Sequence, residues 1–442
     1  MPFIHNRIDI ISLGCSKNLI DSERLLCRLA AKGYTMSHDP ETPAGEYVVV
    51  NTCGFIGDAK EESVNMLLQL AQMKESGDIG KIAVMGCLSQ RYMDELKEAI
   101  PEVDLWYGKF DWNAFVTSLP DVVPAKTAVK EWQRTVTTLP HTAYLKISEG
   151  CNRFCAFCAI PLITGRHTSR PMEEIEEEVR DLVKTGVSEL NVIAQDLSSY
   201  GIDLYGGHRL AQLVDRIADI PGVRRIRLHY AYPSDFPYDV LEVMRRRDNV
   251  CSYMDIALQH ISDKMLTAMR RHISKKETLR LIDRMRREVP DLKLRTTLMV
   301  GFPGETDEDF QELLDFVRTV RFERMGAFAY SEEEGTYAAL HLIDDVPEET
   351  KQQRLDTLMQ LQQEISLELQ QEMIGKRLTV VVDTVNEDGS AICRTQWDSP
   401  EVDPELIADR TDAKPGDYIE VEVTDAAEFE LYGRQISSSA TD

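Results

Sequence analysis

Hydrophobic and polar positions follow two alternating periods over the first hundred residues. Three short apolar runs, RIDIISLG, EYVVVNT and KIAVMG, are rich in β-branched side chains, and each precedes a stretch with helical spacing. The pattern predicts strands at these runs and helices near 18–32, 58–74 and 90–100. Because strands that alternate with helices form parallel sheets, we expect an α/β domain with helices on both faces.

A second α/β series follows a stretch at 101–139 that lacks sustained periodicity and that we interpret as a connection. Apolar runs separated by helical segments predict six strands at 143–147, 189–193, 225–228, 254–257, 293–300 and 324–329. We expect a barrel-like array that stays open, because a closed barrel of this kind has eight such units.

The pattern changes twice more toward the carboxyl end. Pro347 begins a long stretch in which apolar residues recur at helical spacing. From Arg377 the period switches to two in RLTVVVDTV, SAICRTQ and YIEVEVTDA, which indicates a small antiparallel β-barrel. The fold class is therefore α/β. The predicted limits are 1–120 for the N-terminal domain, 121–136 for a linker, 137–372 for the open (β/α)6 barrel and 373–440 for the β module.

Composition and charge narrow the possible functions. The 442 residues carry a net charge of −25, which disfavours a broad nucleic-acid-binding surface because such surfaces use Lys and Arg to neutralise phosphates. A basic protein partner suits this charge better. No stretch reaches the roughly 18 apolar residues of a membrane span, and the first residues lack a secretory signal. We expect a cytoplasmic protein with reduced thiols and no membrane partner.

Three cysteines with unusual spacing follow the first strand of the barrel series. These are Cys151, Cys155 and Cys158 in EGCNRFCAFC, here called the barrel triad. Three thiolates at this spacing can hold three irons of a [4Fe-4S] cluster and leave the fourth iron free to bind S-adenosylmethionine, a source of the 5′-deoxyadenosyl radical. One alternative is a zinc knuckle with His167, which would lack a second close cysteine pair. The other is three buried cysteines, which conflicts with the loop character of the segment.

Three further cysteines are far apart in sequence but share a structural position. Cys15, Cys53 and Cys87, here called the N-terminal triad, each end one of the first three strand runs, and a glycine adjoins each of them. Because the carboxyl ends of parallel strands meet at one edge of a sheet, we expect these thiols to converge and to hold a second cluster. The alternative is that they are small buried residues without a role.

The chain resembles the methylthiotransferase family of the radical S-adenosylmethionine superfamily along almost its whole length. The matching stretches are SLGCSKNLIDSE, NTCGFI, GCLSQRY, LKISEGCNRFCAFCAIP, RLHYAYP, DIALQHISDKML, TTLMVGFPGETDEDF and YSEEEGT. Within the family, the pairing of LGCSKN, NTCGFI, EGCNRFCAFC and RLHYAYP is most similar to the members that modify a ribosomal protein.

The resemblance implies a radical cluster on the barrel triad, an auxiliary cluster on the N-terminal triad and a TRAM-type β module. In the implied reaction, one S-adenosylmethionine donates methyl to a sulfur carried by the auxiliary cluster. A second yields the radical that abstracts hydrogen from an aspartate β-carbon. The implied substrate is small-subunit ribosomal protein twelve, free or in the ribosome, and the implied electron donor is of flavodoxin or ferredoxin type.

Contacts to S-adenosylmethionine are also expected from the resemblance. The candidates are Phe157 beside a cluster ligand, Gln195 after the second barrel strand and Arg295 in the fifth. Packing is the alternative for all three side chains.

Two other functions stay open at this point. A tRNA methylthiotransferase would need a basic β module, but residues 373–442 contain 16 acidic and 6 basic residues, so tRNA is an unfavoured partner. A non-catalytic scaffold that binds zinc or RNA would be colourless after anaerobic purification, whereas an enzyme with two iron–sulfur clusters would be brown.

Overall fold

The first domain is a parallel sheet covered on both faces. The computed structural model describes residues 3–54, 57–123 and 129–436. The strands of this domain are β1 (Ile4–Ser12), β2 (Thr35–His38), β3 (Gly45–Thr52), β4 (Lys81–Gly86) and β5 (Leu105–Trp106). Its helices are α1 (Ser16–Ala31), α2 (Gly57–Glu75), α3 (Cys87–Ala99) and α4 (Trp112–Ser118). The strands pair in the order β2-β1-β3-β4-β5, and every pair is parallel, as the sequence predicted.

Alternate residues of the central strands enter two separate cores. Ile10 of β1 packs with α1 and α4 on one face, and Val50 of β3 packs with Leu67 of α2 on the other. One prediction is wrong here, because β5 and α4 lie within 101–139, where we expected only a connection. Both elements are too short to produce a clear period, yet Trp112 of α4 is buried against the sheet.

The second domain is an open array of six parallel strands. Its strands in chain order are β6 (Thr142–Lys146), β7 (Ser148–Glu149), β8 (Thr168–Ser169), β9 (Glu189–Ile193), β10 (Arg225–Ala231), β11 (Val250–Ile256), β12 (Lys293–Val300) and β13 (Arg324–Ala329). β7 and β8 form a small antiparallel pair, and the other six pair in the order β6-β9-β10-β11-β12-β13. Within the described chain β6 and β13 do not pair, so the six predicted strands and the open array are confirmed.

Helices cover the outer face of this array. They are α5 (Ile160–Thr164), α6 (Met172–Lys184), α7 (Ile202–Tyr205), α8 (Leu210–Ala218), α9 (Asp239–Arg246), α10 (Asp263–Ala268), α11 (Lys275–Glu288), α12 (Asp307–Val320), α13 (Tyr337–His341) and α14 (Glu348–Gln371). As predicted, α14 begins directly after Pro347, and it packs on α12 and β13. Of the helices in the described ranges, none is both long enough and apolar enough to cross a membrane.

The third domain is a closed five-stranded β-barrel. Its strands are β14 (Arg377–Val385), β15 (Ala391–Arg394), β16 (Glu405–Ala408), β17 (Tyr418–Ala426) and β18 (Glu430–Gln435). The sequence predicted β14, β15 and β17 but missed the other two. The expected antiparallel pairing holds for four of the five pairs, whereas β16 and β18 are parallel. The intervening β17 returns the chain to the same end of the barrel, which makes that parallel pair possible.

The β-barrel sends one segment into the array. Residues 395–403, between β15 and β16, contact array strands that are far apart in the sheet order. Glu401 Oε2 lies 3.4 Å from Tyr144 Oη in β6, and Asp403 Oδ1 lies 2.6 Å from Arg295 Nη1 in β12. Because one short segment reaches strands that are distant in the sheet order, the sheet must curl around it.

Buried charges hold the third domain at the amino ends of the array strands. Glu189, the first residue of β9, accepts hydrogen bonds from Arg227 and Arg394 at 2.6 Å each. Arg225, the first residue of β10, donates to the carbonyl oxygen of Thr379 at 2.7 Å. The opposite end of the array, where the strands end, therefore stays available for the cysteine loop.

Candidate active site

The barrel triad occupies the loop that follows β7. Gly150 precedes it with a φ of 78°, and a Cβ there would lie 2.2 Å from the carbonyl oxygen of Arg166, so the close passage of the loop requires glycine. The N–H of Cys158 donates to the carbonyl oxygen of Cys155 at 3.1 Å, which closes a tight turn. Burial raises the pKa of the Cys158 thiol, and the charges of Cys155 and Cys151 raise it further. The three sulfurs therefore lie within electrostatic reach of one another.

Two buried side chains contact the barrel triad. Arg271 Nη1 lies 3.0 Å from Cys155 Sγ, and Tyr232 Oη lies 3.6 Å from the same sulfur. Tyr232 Oη also donates to the carbonyl oxygen of Arg271 at 2.9 Å, which fixes the two groups together. A buried guanidinium offsets the negative charge that ligated thiolates carry. The sequence analysis predicted neither contact. Tyr232 could have been found, because it lies in the matching stretch RLHYAYP, but Arg271 lies outside all the matching stretches.

The N-terminal triad lies at one edge of the first sheet. Cys15 precedes α1, Cys53 follows β3 and Cys87 begins α3, and the strands β1, β3 and β4 that lead to them are neighbours. A Cβ on Gly14 would lie 2.8 Å from Cys53 Sγ, so the backbone before Cys15 passes close to that sulfur. Asn18 Oδ1 accepts a hydrogen bond from Cys87 Sγ at 3.4 Å. The structure thus brings the three cysteines together, as the strand-end argument requires.

The charge around the N-terminal triad is uneven. Burial raises the pKa of the Cys87 thiol to about 11; Lys109 opposes this shift, while Cys15 and Cys53 add to it. The residue Cys15 is exposed to solvent, but many protein atoms surround its sulfur. That crowding opposes ionisation, but Lys17, a backbone N–H and Lys109 outweigh it, so the pKa of Cys15 lies below its ordinary value.

Four charges, here called the charge quartet, join the surroundings of the two triads, and of these Asp21, Lys109 and Lys146 are buried while Glu149 is half-buried. Asp21 of α1 accepts hydrogen bonds from Lys109 Nζ at 2.9 Å and from Lys146 Nζ at 2.6 Å. Glu149 Oε2 lies 2.9 Å from Lys146 Nζ, and its Oε1 lies 4.0 Å from Lys109 Nζ. Lys109 Nζ is also 3.5 Å from Asn18 Oδ1, the group that contacts the N-terminal triad. Since Glu149 directly precedes the loop of the barrel triad, the quartet joins the surroundings of both triads.

The three side chains expected at S-adenosylmethionine have different surroundings. Phe157 packs edge-on against Phe302, with ring centroids 6.4 Å apart. Gln195 Nε2 donates a hydrogen bond to the carboxylate of Glu149. Its Oε1 is buried without a partner among the described residues, which leaves an acceptor for a ligand. Arg295 is engaged with Asp403 of the third domain at 2.6 Å, so a contact to S-adenosylmethionine would require it to leave this ion pair. All three contacts stay predictions.

Each triad offers three cysteine thiols, which is the donor set that a [4Fe-4S] cluster with one open iron would take. In the described parts of the chain, no three His, Cys, Asp or Glu side chains form a group that could hold one metal ion. His167, the fourth ligand of the alternative zinc site, has its Nε2 at 3.1 Å from Ser169 Oγ. A four-iron cluster keeps its thiolates farther apart than a single ion does, and three thiolates leave one iron open. Glycines beside both triads let neighbouring protein segments pack closely and so bring the cysteines near one another.

Comparisons with protein families match each of the three domains. Residues 7–108 match the uncharacterised protein family UPF0004, residues 145–317 match the radical SAM superfamily and residues 374–436 match the TRAM domain. Among solved structures, the radical S-adenosylmethionine methyltransferase TsrM from Kitasatospora setae, with cobalamin and a [4Fe-4S] cluster bound, has a TM-score of 0.55 and 14% identity. The alignment covers 76% of this chain and 74% of that chain, and at this identity it shows the fold alone.

Relatives with assigned names match over nearly the whole chain. The ribosomal protein uS12 methylthiotransferase RimO of Phocaeicola vulgatus is 59% identical over 97% of this chain and 98% of its own. The protein of that name from Porphyromonas gingivalis is 57% identical over 97% and 99%, and that from Christiangramia forsetii is 47% identical over 98% and 95%. The chain therefore belongs to the RimO family of ribosomal protein uS12 methylthiotransferases.

Proposed function

We propose that this protein inserts a methylthio group at the β-carbon of an aspartate in ribosomal protein uS12, using S-adenosylmethionine and two [4Fe-4S] clusters. The observation that carries the proposal is the pair of cysteine triads, each at the strand ends of its own sheet and linked by the charge quartet. The relatives that bear the name uS12 methylthiotransferase support the substrate. Small-subunit ribosomal protein twelve is therefore the proposed partner.

The barrel triad would hold the cluster that, once reduced, supplies the electron for cleavage of S-adenosylmethionine to a 5′-deoxyadenosyl radical. Arg271 offsets the charge on Cys155, and Tyr232 holds Arg271 in place through its carbonyl oxygen. Gln195 Oε1, a buried oxygen without a hydrogen-bond partner among the described residues, could accept a hydrogen bond from a polar group of S-adenosylmethionine. Phe157 offers an apolar wall beside the triad.

The N-terminal triad would hold the auxiliary cluster, whose role is to carry the sulfur that is transferred. Lys109 supplies positive charge next to this triad and is itself fixed by Asp21. Because Asp21 also binds Lys146 of β6, α1 and the first array strand keep a constant relative position. A fixed separation matters because both triads must serve one substrate carbon.

The proposed partners follow from charge. The third domain and its tail, residues 373–442, carry 16 acidic and 6 basic residues, which favours a Lys- and Arg-rich ribosomal protein over tRNA. The substrate would be taken either free or within the ribosome. The reducing electron would come from a carrier of flavodoxin or ferredoxin type.

Removing each triad separately tests the proposal. The wild type, reconstituted anaerobically with iron and sulfide, should hold about eight irons, and each triple alanine variant should hold about four. The variant that lacks the barrel triad should form no 5′-deoxyadenosine. The variant that lacks the N-terminal triad should still form 5′-deoxyadenosine but should not add a methylthio group to uS12, as mass spectrometry would detect.

A cysteine outside both triads provides the control. Cys27 of α1 is half-buried and is not part of either triad, so Cys27→Ala should retain full iron content and methylthiolation. The proposal is wrong if the wild type modifies tRNA and leaves uS12 unmodified, or if either triple variant still methylthiolates uS12.

A further inference from the structure

Lys17 is a cation at the contact between the first domain and the array, and it has no acidic partner among the residues that the structure describes. Its Nζ lies 3.4 Å from the centroid of the Tyr230 ring at the end of β10. Within the described part of the chain, its Nζ forms no hydrogen bond or ion pair. An aromatic face attracts an ammonium group but accepts no conventional hydrogen bond from it. The N–H groups of Lys17 therefore stay available to an anion.

Two other lysines near this contact are paired with carboxylates. Lys109 is paired with Asp21, and Lys60 of α2 lies 2.7 Å from Glu333 of the segment after β13. These ion pairs hold the domains together, so an external anion could bind either lysine only by displacing its carboxylate partner. Lys17 differs because an anion from outside the chain could bind it without breaking an existing ion pair.

Tyr230 has an unusual backbone that presents its ring to Lys17. Its φ is 65°, in the left-handed region that a non-glycine residue adopts at a cost, and its side chain is 37% exposed. Its N–H donates to Asp255 Oδ2 at 3.2 Å, which helps to hold this conformation. Strained residues of this kind concentrate at binding sites, where the surrounding structure enforces them.

Lys17 and Tyr230 belong to the chain segments that lead to the two triads. Lys17 is two residues after Cys15 and acts electrostatically on its thiol. Tyr230 is two residues before Tyr232, which contacts Cys155 Sγ at 3.6 Å. A group bound to Lys17 would therefore adjoin Cys15 and the strand end that leads to Tyr232, and a carbon served by both triads must lie where these two segments meet.

We propose that Lys17, held over the Tyr230 ring, binds the side-chain carboxylate of the substrate aspartate. This inference rests on the proposed function, in which the reacting β-carbon is bonded directly to that carboxylate carbon. An ammonium group that holds the carboxylate thus places the β-carbon without touching it. Lys17 is a specificity-determining residue in this view, because an amide in place of the carboxylate would lose a charge-assisted hydrogen bond.

Binding of uS12 variants to the holoenzyme tests this inference. Free uS12 carrying Asp, Asn or Glu at the target position would be labelled, and its dissociation constant measured by fluorescence anisotropy under anaerobic conditions. We expect the wild type to bind the Asp protein roughly 10- to 100-fold more tightly than the Asn protein, as for a hydrogen bond to a charged group. The Glu protein should keep most of the affinity, because its carboxylate can also accept a hydrogen bond from the ammonium group.

Substitutions of Lys17 should remove this preference selectively. In Lys17→Met the Asp and Asn proteins should bind with equal affinity, whereas Lys17→Arg should retain a preference for Asp because guanidinium also pairs with carboxylate. Iron content and the thermal unfolding midpoint would establish that both variants are folded. The matched control is Lys81→Met, which removes a lysine 5.7 Å from the Tyr47 ring at the other end of the first sheet. This control should keep the wild-type preference.

The outcomes separate this inference from the proposed function. If the wild type modifies uS12 but binds the Asp and Asn proteins equally, or if Lys17→Met keeps the wild-type preference, Lys17 does not bind the carboxylate. If the wild type neither binds nor modifies uS12, the proposed function fails and this inference fails with it.

Discussion

Replacing Asp21 by asparagine should loosen the contact between the first domain and the array. Asp21 is buried and accepts hydrogen bonds from Lys109 and Lys146, which are also buried. Asparagine keeps the shape but leaves two ammonium groups opposite the single carboxylate of Glu149. Removing one partner of a buried charge pair costs roughly 3–5 kcal/mol. With a urea dependence of about 2–3 kcal/mol per molar, the unfolding midpoint should fall by about 1–2.5 M.

Urea unfolding followed by tryptophan fluorescence would measure this effect, with two further variants for comparison. Asp283→Asn removes the exposed carboxylate that pairs with Arg287 at 3.1 Å and should cost less than about 1 kcal/mol. Adding Lys109→Met to Asp21→Asn leaves Lys146 paired with Glu149, so the double variant should recover part of the loss. The reasoning is refuted if Asp21→Asn is no more destabilising than Asp283→Asn, or if the double variant is less stable than the single one.

Three further predictions concern the third domain. Arg394→Met removes one of the two buried partners of Glu189 and should cost about 3 kcal/mol or more, with calorimetry showing earlier melting of this domain. Although burial opposes ionisation, Arg394 and Arg227 hold the pKa of Glu189 well below its usual range. This stabilisation should therefore be complete above about pH 4.3 and decline as the pH falls toward the depressed value, so limited proteolysis should release the domain only in acid. Replacing Glu420, Glu422 and Glu428 by lysine should weaken the binding of uS12 and reduce the salt dependence of that binding, as fluorescence anisotropy across salt concentrations would measure.

The sequence alone determined both triads and most of the regular structure. The spacing of Cys151, Cys155 and Cys158 is a local feature, so it is visible without a fold. Cys15 and Cys53 are distant in sequence, but each ends a strand run, and the geometry of parallel sheets brings such ends to one edge. The six array strands were predictable for the same reason, because each carries its own apolar period.

Short elements and contacts between domains were decided by the tertiary structure. α4 and β16 have seven and four residues, too few for a clear period, and neighbours complete their cores. The ion pair of Arg295 with Asp403, 108 residues away in the chain, could not be predicted from the sequence, and the contact of Arg295 with S-adenosylmethionine stays a prediction.

The charge quartet and the Lys17 site depend most on the tertiary structure. Asp21 and Lys146 are 125 residues apart in sequence, and a lone aspartate or lysine carries no period that predicts burial. Their pairing becomes favourable only when two domains exclude water from the contact between them, since a paired charge is stable there and an unpaired one is not. The sequence thus predicted which cysteines would carry the chemistry, and domain packing decided the pairing of the lysines near them: Lys109 and Lys146 pair with Asp21, whereas Lys17 forms no ion pair among the described residues.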